Sequence, residues 1–243
     1  MLLEAVRVVL VKTRFPENIG MAARACANMG CPDLRLVEPE RWIREKAVAL
    51  ATPKGVQVLD AIRVHSTLAD AVYDANLVIG TTARTGGWRR EIFSPRQASA
   101  EVAEAISRNE KIAVVFGPED RGLDNAEIAA CQRLVTIPTD GAASSLNLAQ
   151  SVLLVLYECA CAVREMGGKK SKPQAASMTA GELARLFDDF KAMLLQLDCL
   201  HGDNPDYFFL PWQRLFSRAG LKRHEYDALM GLCRQVRSKL NRT

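Results

Sequence analysis

Short apolar runs alternate along the first two-thirds of the chain with segments whose apolar residues recur every three or four positions, and few folds tolerate that pattern. The run Val6–Val11 is β-branched and is followed by a Pro/Gly-punctuated loop. Residues 18–29 then place Ile19, Ala22, Ala23, Cys26 and Ala27 at helical spacing, and Gly30 stands where a helix end favours a residue tolerant of positive φ. Strand-like runs recur at 34–37, 77–79, Ile112–Phe116 and 134–137. Between them lie helical stretches marked by Leu68, Ala71 and Val72, by a Ser94-Pro95 start running to Ile106, and by residues 125–131. A long apolar helix over 146–163 closes the series. Strands joined through helices by short loops predict an α/β fold with a mostly parallel sheet covered on both faces.

The pattern changes after this helix. Residues 167–173, a Gly-Gly-Lys-Lys-Ser-Lys-Pro run, have the polar, flexible composition of a linker. The reading is a domain over 1–165, a linker over 166–177 and a helical extension over 178–243. The extension has a capping box at Thr179 and Glu182 before a helix to about Leu197, then a second helical region over 212–240 broken near Gly220. Net charge is +4 for the 243 residues, but 14 lysines and arginines face only 9 acids from Arg164 onward. Such a tail is either a set of solvated helix faces or a phosphate-binding surface, and charge alone does not choose.

The hydrophobic fraction of 49% is that of a globular protein, and no apolar run approaches a membrane span. A cytoplasmic protein with no membrane partner is expected. The seven cysteines lack paired CxxC or His/Cys spacing, so they read as buried thiols, and no metal is expected.

Function in an open α/β sheet is expected in loops beyond the carboxyl ends of strands. Four such loops carry unusual residues. The first, Asn18-Ile19-Gly20-Met21-Ala22-Ala23-Arg24, reads either as a capping asparagine with a solvated arginine or as a polyanion contact. The second, Gly80-Thr81-Thr82-Ala83-Arg84, has small residues that let a ligand approach the backbone. The third, Phe116-Gly117-Pro118-Glu119-Asp120-Arg121-Gly122-Leu123, is neither a Walker loop nor a dinucleotide fingerprint, which argues against nucleoside triphosphates and NAD. The fourth runs from Ile137-Pro138 to Ser144-Ser145-Leu146-Asn147, where a serine cap or an anion site at a helix start are both open readings. The histidines, at 65, 201 and 224, lie in none of these loops, so no Ser-His-Asp set forms.

Taken in order, Asn18-x-Gly20-x-x-x-Arg24, Phe116-Gly117-x-Glu119-x-x-Gly122-Leu123 and Ile137-Pro138 through Ser145-Leu146-Asn147 resemble the three signature motifs of the SPOUT superfamily of RNA methyltransferases, in its TrmH-like 2′-O-ribose branch. The 80–84 turn and the tail Leu215-Phe216-x-Arg218-Ala219-x-Leu221-x-Arg223-x-Glu225 are similar to the TrmJ-type tRNA methyltransferases of the anticodon loop. Pro118 and Asp120 occupy variable positions of the second motif.

The resemblance implies a trefoil knot in the C-terminal half of the domain, a homodimer, S-adenosylmethionine as cofactor, S-adenosylhomocysteine as product, and tRNA as substrate, at nucleotide 32 of the anticodon loop. It places the cofactor against Thr81, Thr82, Ala83, Gly117, Glu119, Gly122, Leu123, Ile137, Ser145 and Leu146. Arg24, Asn18, Glu119, Ser145 and Asn147 would surround the reacting ribose, with Arg24 reaching a site completed by the other subunit. Arg84, Arg214, Arg218, Lys222, Arg223, Arg234, Arg237 and Lys239 would grip RNA phosphates. A guanidinium is a poor general base because it stays protonated in proteins. Arg24 is therefore expected to hold phosphate and stabilise developing alkoxide charge, while Ser145 or Asn147 orients the hydroxyl. An rRNA 2′-O-methyltransferase is the alternative within the superfamily, disfavoured by the tail. A non-catalytic RNA-binding module is the alternative from another class, disfavoured by intact Asn18, Arg24, Ser145 and Asn147.

Overall fold

The alternation of side chains along a strand sorts each apolar run onto two faces. In the computed structural model, which describes residues 1–83, 92–140, 146–167, 177–200 and 203–240, Val6, Val8 and Leu10 join one core while Val9 and Val11 join another. Ile112, Val114 and Phe116 divide from Ala113 and Val115 in the same way. Both strands are buried on both faces, which explains why they read as continuous apolar runs.

The elements run β1 (Val6–Val11), α1 (Pro16–Met29), β2 (Asp33–Val37), α2 (Arg44–Val48), α3 (Pro53–Asp60), β3 (Arg63–His65), α4 (Leu68–Val72) and β4 (Leu77–Thr81). They continue through β5 (Ile92–Phe93), α5 (Pro95–Ser107), β6 (Ile112–Phe116), α6 (Asn125–Ala129), β7 (Arg133–Val135) and α7 (Leu148–Glu165). The sheet order is β3-β2-β1-β6-β4-β7-β5, and every pairing is parallel. Residues of α1, α3, α5 and α7 cover one face, and α4 with the end of α6 covers the other. The chain therefore reverses its direction of growth at β1 and β6, and the loops leaving β1, β6, β4 and β7 gather at one end of the sheet.

The expected strands and helices are present, with shifts that have local causes. α1 begins at Pro16 rather than at Asn18, because proline supplies a helical φ and needs no N–H partner in the first turn. Gly30 takes the left-handed conformation expected of it, at φ 72°. Ser94 forms a capping box with Gln97, whose backbone N–H donates to the serine hydroxyl. α2, α3, β3 and β5 were not expected from the periodicity, being too short or too exposed to show one.

The extension contains α8 (Ala180–Gln196), α9 (Pro205–Ala219) and α10 (Arg223–Leu240). α9 starts ahead of the expected Trp212, capped by Asn204. These helices share a third apolar cluster around Leu186, Phe190, Phe209 and Phe216. α8 docks on the sheet domain through Ala180 N–H to Ala75 O (2.7 Å) and Gly181 N–H to Tyr73 O (2.9 Å). A Cβ at Gly181 would lie 2.3 Å from the Tyr73 ring, so the close approach requires glycine. Residues 168–176 of the expected linker lie outside the described residues.

Burial pushes the Cys131 and Cys159 thiols up to about 12, as unreactive core thiols require. Cys161 is only half-buried and Cys199 is exposed, against the expectation of buried thiols throughout, because each lies at a helix surface or end. Among the described residues no helix is long and apolar enough to cross a membrane.

At the opposite end of the sheet from the four loops, Arg7 and Arg35 are each only 4% exposed. Asp74 pairs with Arg7 and, at 2.9 Å, with Lys111, while Asp33 pairs with Arg35 (3.0 Å) and Arg63 (2.9 Å). The Arg7 hydrogen bonds hold the Asp74 carboxyl well below the usual carboxylate range. A depressed carboxylate stabilises the fold above its ordinary pKa and loses that contribution as pH falls toward the folded value. Asp74→Asn is expected to cost about 1–3 kcal/mol at neutral pH by leaving Arg7 underpartnered. The gap from the parent should shrink below about pH 4 in urea unfolding, whereas an equal gap at pH 7 and pH 3 would contradict the assignment.

Candidate functional site

The turn after β6 takes its shape from two glycines with different tasks. Gly117 has no room for a side chain, since a Cβ there would sit 2.3 Å from Leu123 N and 2.4 Å from Gly122 C. Gly122 instead adopts φ 66°, and a Cβ there would meet open space. With Gly122 N–H donating to Pro118 O at 2.9 Å, the turn folds back on itself and presents Glu119 toward β1 and α1.

Glu119 is where three of the loops meet. One carboxylate oxygen accepts from Thr13 Oγ1 (3.1 Å) and Asn18 Nδ2 (2.6 Å), and the other accepts from Arg14 N–H (3.2 Å). Asn18 Oδ1 in turn accepts from Asn147 Nδ2 at 2.9 Å. Asn147 caps α7, its Oδ1 accepting from the N–H groups of Ala149 (2.9 Å) and Gln150 (3.3 Å). Asn18 is therefore not a helix cap. Phe15 holds that position without a side-chain hydrogen bond, and the Asn18 amide is spent across the fold. Thr13 and Asn18 are buried, so their polar atoms depend on these partners.

A cavity of about 310 Å³ opens beside this network at the carboxyl ends of β4, β6 and β7. Its lining includes Thr81, Thr82, Ala83, Gly117, Glu119, Gly122, Leu123, Ile137 and Leu146, all expected at a cofactor. Thr139, Leu148 and Ser151 also line it and were missed, as a loop threonine and two residues of an ordinary helical turn carry no distinguishing pattern. The volume is at the small end of ligand pockets, and its walls mix the apolar Val135, Ile137, Leu146 and Leu148 with backbone and acidic groups. Asp120 and Arg121 also line it, and such a mixed lining fits a flat heterocycle with a polar arm.

A second hollow, of about 440 Å³, is lined by Phe15, Glu17, Asn18, Glu119, Leu146, Asn147 and Leu148. Glu119, Leu146 and Leu148 are common to both, so these residues form the wall between them. Asn147 Nδ2 carries two hydrogens and spends one on Asn18, which leaves a donor at the second hollow.

Arg24 is not brought to either hollow. It lies six residues beyond Asn18, about 9 Å along the helix axis, and is exposed with no hydrogen bond or ion pair among the described residues. Ser145 and Arg84 lie outside the described residues. In the extension, Arg223 is held by Glu182 (2.5 Å) and Arg237 by Asp189 (3.0 Å), whereas Lys222 and Arg234 are exposed. Arg214 and Ser217 reach a hollow between α9 and β7 with Arg218, and Lys239 stands in the last turn of α10.

The sequence model of the SpoU rRNA methylase family matches residues 5–157. A Pseudomonas aeruginosa protein named tRNA (cytidine/uridine/adenosine-2′-O-)-methyltransferase TrmJ is 36% identical, with 95% of this chain and 93% of that protein covered. An Escherichia coli protein named tRNA (cytidine/uridine-2′-O-)-methyltransferase TrmJ is 32% identical, with 97% and 96% covered. Among solved structures, that of TrmJ from Z. mobilis ZM4 aligns with a TM-score of 0.82 at 29% identity, over 95% of this chain and 98% of the other.

The two glycines make unequal predictions. Gly117→Ala forces backbone against backbone and should cost about 1–3 kcal/mol. Gly122→Ala only strains φ and should cost about 1 kcal/mol. Thermal unfolding of both variants ranks them, and a Gly122→Ala loss equal to or above that of Gly117→Ala would contradict the close packing of the turn.

Proposed function

Because the chain belongs to the SpoU methylase family, we propose that it transfers a methyl group from S-adenosylmethionine to a ribose 2′-hydroxyl of tRNA, at nucleotide 32 of the anticodon loop. The observation that carries the reading is the hydrogen-bonded line Glu119–Asn18–Asn147 along one hollow, joined through Glu119 to a second that is lined by every described residue expected at the cofactor. Support for tRNA over rRNA comes from the names of the relatives and from the likeness along almost the whole chain, helical extension included.

In this reading the cavity between the β4, β6 and β7 loops holds the cofactor, with Thr81 to Ala83, Gly117, Gly122, Leu123, Ile137 and Leu146 around it, and Ser145 would contribute to the same site. When bound, S-adenosylmethionine supplies an electrophilic methyl on a sulfonium and leaves as S-adenosylhomocysteine. The target ribose enters the second hollow. In-line approach demands that the ribose oxygen be held at a fixed angle, and positioning of this kind lowers the barrier.

Glu119 acts as a positioning residue. Its carboxylate can only accept, so it fixes Asn18 with the amide nitrogen toward itself and the amide oxygen toward Asn147. Asn147 is thereby oriented with its remaining N–H toward the ribose oxygen, a task that Ser145 would share. The amide dipoles and the α7 N-terminus favour the negative charge that develops on the oxygen as its proton passes to water and the O–CH3 bond forms.

The guanidinium of Arg24 then belongs to the site of the partner subunit in a homodimer. Its distance from both hollows in its own chain supports this, as do Leu153 (39% exposed), Leu154 (41%) and Tyr157 (51%), an apolar strip on the outer face of α7 close to the site. Residues 1–165 form the methyltransferase domain with the family's trefoil knot. Residues 166–177 form the linker, and 178–243 an extension whose Arg214, Arg218, Lys222, Arg223, Arg234, Arg237 and Lys239 meet tRNA phosphates with Arg84. The protein works in the cytoplasm.

Incubation with labelled S-adenosylmethionine, bulk tRNA and rRNA, followed by nucleotide mapping, tests the reading. The expected outcome is label on an anticodon-loop ribose, reduced at least roughly 100-fold by Arg24→Ala. S-adenosylhomocysteine affinity should stay near the parent value. Label on rRNA alone, or full activity in Arg24→Ala, would overturn it.

A further inference from the structure

The segment between β2 and β3 has no part in the cavities, yet it packs on the first-motif helix at the motif's own residues. A Cβ at Gly20 would lie 2.0 Å from Ala47 O, so the glycine of Asn18-x-Gly20-x-x-x-Arg24 is required for α2 to rest on α1. One turn further on, a Cβ at Gly55 would lie 3.3 Å from both the Cα and N of Arg24, which seats α3 against the arginine's own backbone. At the other end the segment is tied to the site itself. Glu40 N–H donates to Thr13 O at 3.0 Å and Glu40 pairs with Arg14 at 3.3 Å, next to the Thr13 and Arg14 groups that bond Glu119.

This packing brings the backbone of three basic residues close to α1. Arg41 follows the Glu40 anchor, Lys46 precedes the Ala47 that covers Gly20, and Lys54 precedes the Gly55 that meets Arg24. All three, like Arg24, are exposed and make no hydrogen bond or ion pair among the described residues. Arg44 is neutralised by Asp60, and residues 41–60 carry a net +2 in a domain whose overall balance is slightly acidic. Each exposed cation is thus next in sequence to a residue that touches Thr13, Gly20 or Arg24, along a stretch of α1 that spans about 9 Å from Asn18 to Arg24.

We propose that Arg41, Lys46 and Lys54 form, with Arg24, a phosphate-binding strip on the α2–α3 segment that holds the RNA strand flanking the methylated ribose. The inference rests on the RNA-methylation reading and deepens it. Specific recognition of RNA relies on positioning the backbone around an exposed nucleotide, and a set of cations fixed to the first-motif helix provides that register. In the dimer described above, the strip travels with Arg24 to the partner's ribose hollow. Gly20 is thus a positioning residue for the strip as well as part of the motif.

The test is the variant Arg41→Gln/Lys46→Gln/Lys54→Gln in the full chain, with tRNA binding measured directly at several salt concentrations alongside steady-state methyl transfer. Three lost phosphate contacts should lower the slope of log Kd against log salt by about 2 and raise the KM for tRNA by roughly tenfold or more. The kcat and the S-adenosylhomocysteine affinity should stay within about twofold, a split that a folding defect would not give. An unchanged salt slope and KM would overturn the strip. Absence of methyl transfer by the parent protein would overturn the enzymatic reading, while the binding slopes still decide whether these residues contact RNA.

Discussion

The arrangement of this molecule around its candidate site depends on one carboxylate. Glu119 accepts hydrogen bonds from the loop after β1, from α1 and, through Asn18, from the amide that caps α7. An acceptor with no hydrogen of its own dictates the direction of every amide in the line, so a single side chain sets the orientation of groups brought from positions over a hundred residues apart. The cost of leaving buried Thr13 and Asn18 without these partners keeps the line intact.

That line exists only because of the order of the strands. β1 and β6 are neighbours at the centre of a parallel sheet, which sets the loop carrying Glu119 beside the loop carrying Thr13 and Asn18. β4 and β7 then place Thr81 and Ile137 on the far side of the same turn. Gly117 lets that turn close tightly enough for Glu119 to reach, and α7, packed against α1 and α5 through Val152, Val155 and Leu156, delivers Asn147 to the same point. Packing of the sheet faces and the chemistry at its edge are thus one design, since the residues that define the site are held by elements whose positions the core decides.

Much of this was legible in the sequence. The continuous apolar runs of β1 and β6 and the alternation of strands with helices identified a doubly covered parallel sheet, and the cavity is lined by the turn after β4 and by the loops of the second and third motifs. Asn18 shows the limit of local reasoning. Its place near a helix start suggests a cap, and only the long-range bonds to Glu119 and Asn147 give its role. Arg24 shows another, because helix spacing fixes its position along α1 but cannot say that it lines neither hollow of its own chain. The 41–60 segment was silent for a third reason. Its helices are short and largely exposed, and its cations vanish in a domain-wide charge balance until the fold brings their backbone close to α1.

The claim that the motif loops act as one hydrogen-bonded unit is tested most directly by a double-mutant cycle. Methyl-transfer kcat/KM would be measured for the parent, Asn18→Ala, Asn147→Ala and the double variant. If Asn18 works by orienting Asn147, either single change breaks the same line, and the double variant should lose hardly more than the worse single one. Losses that multiply in the double variant would mean that the two residues act independently, and would contradict the account.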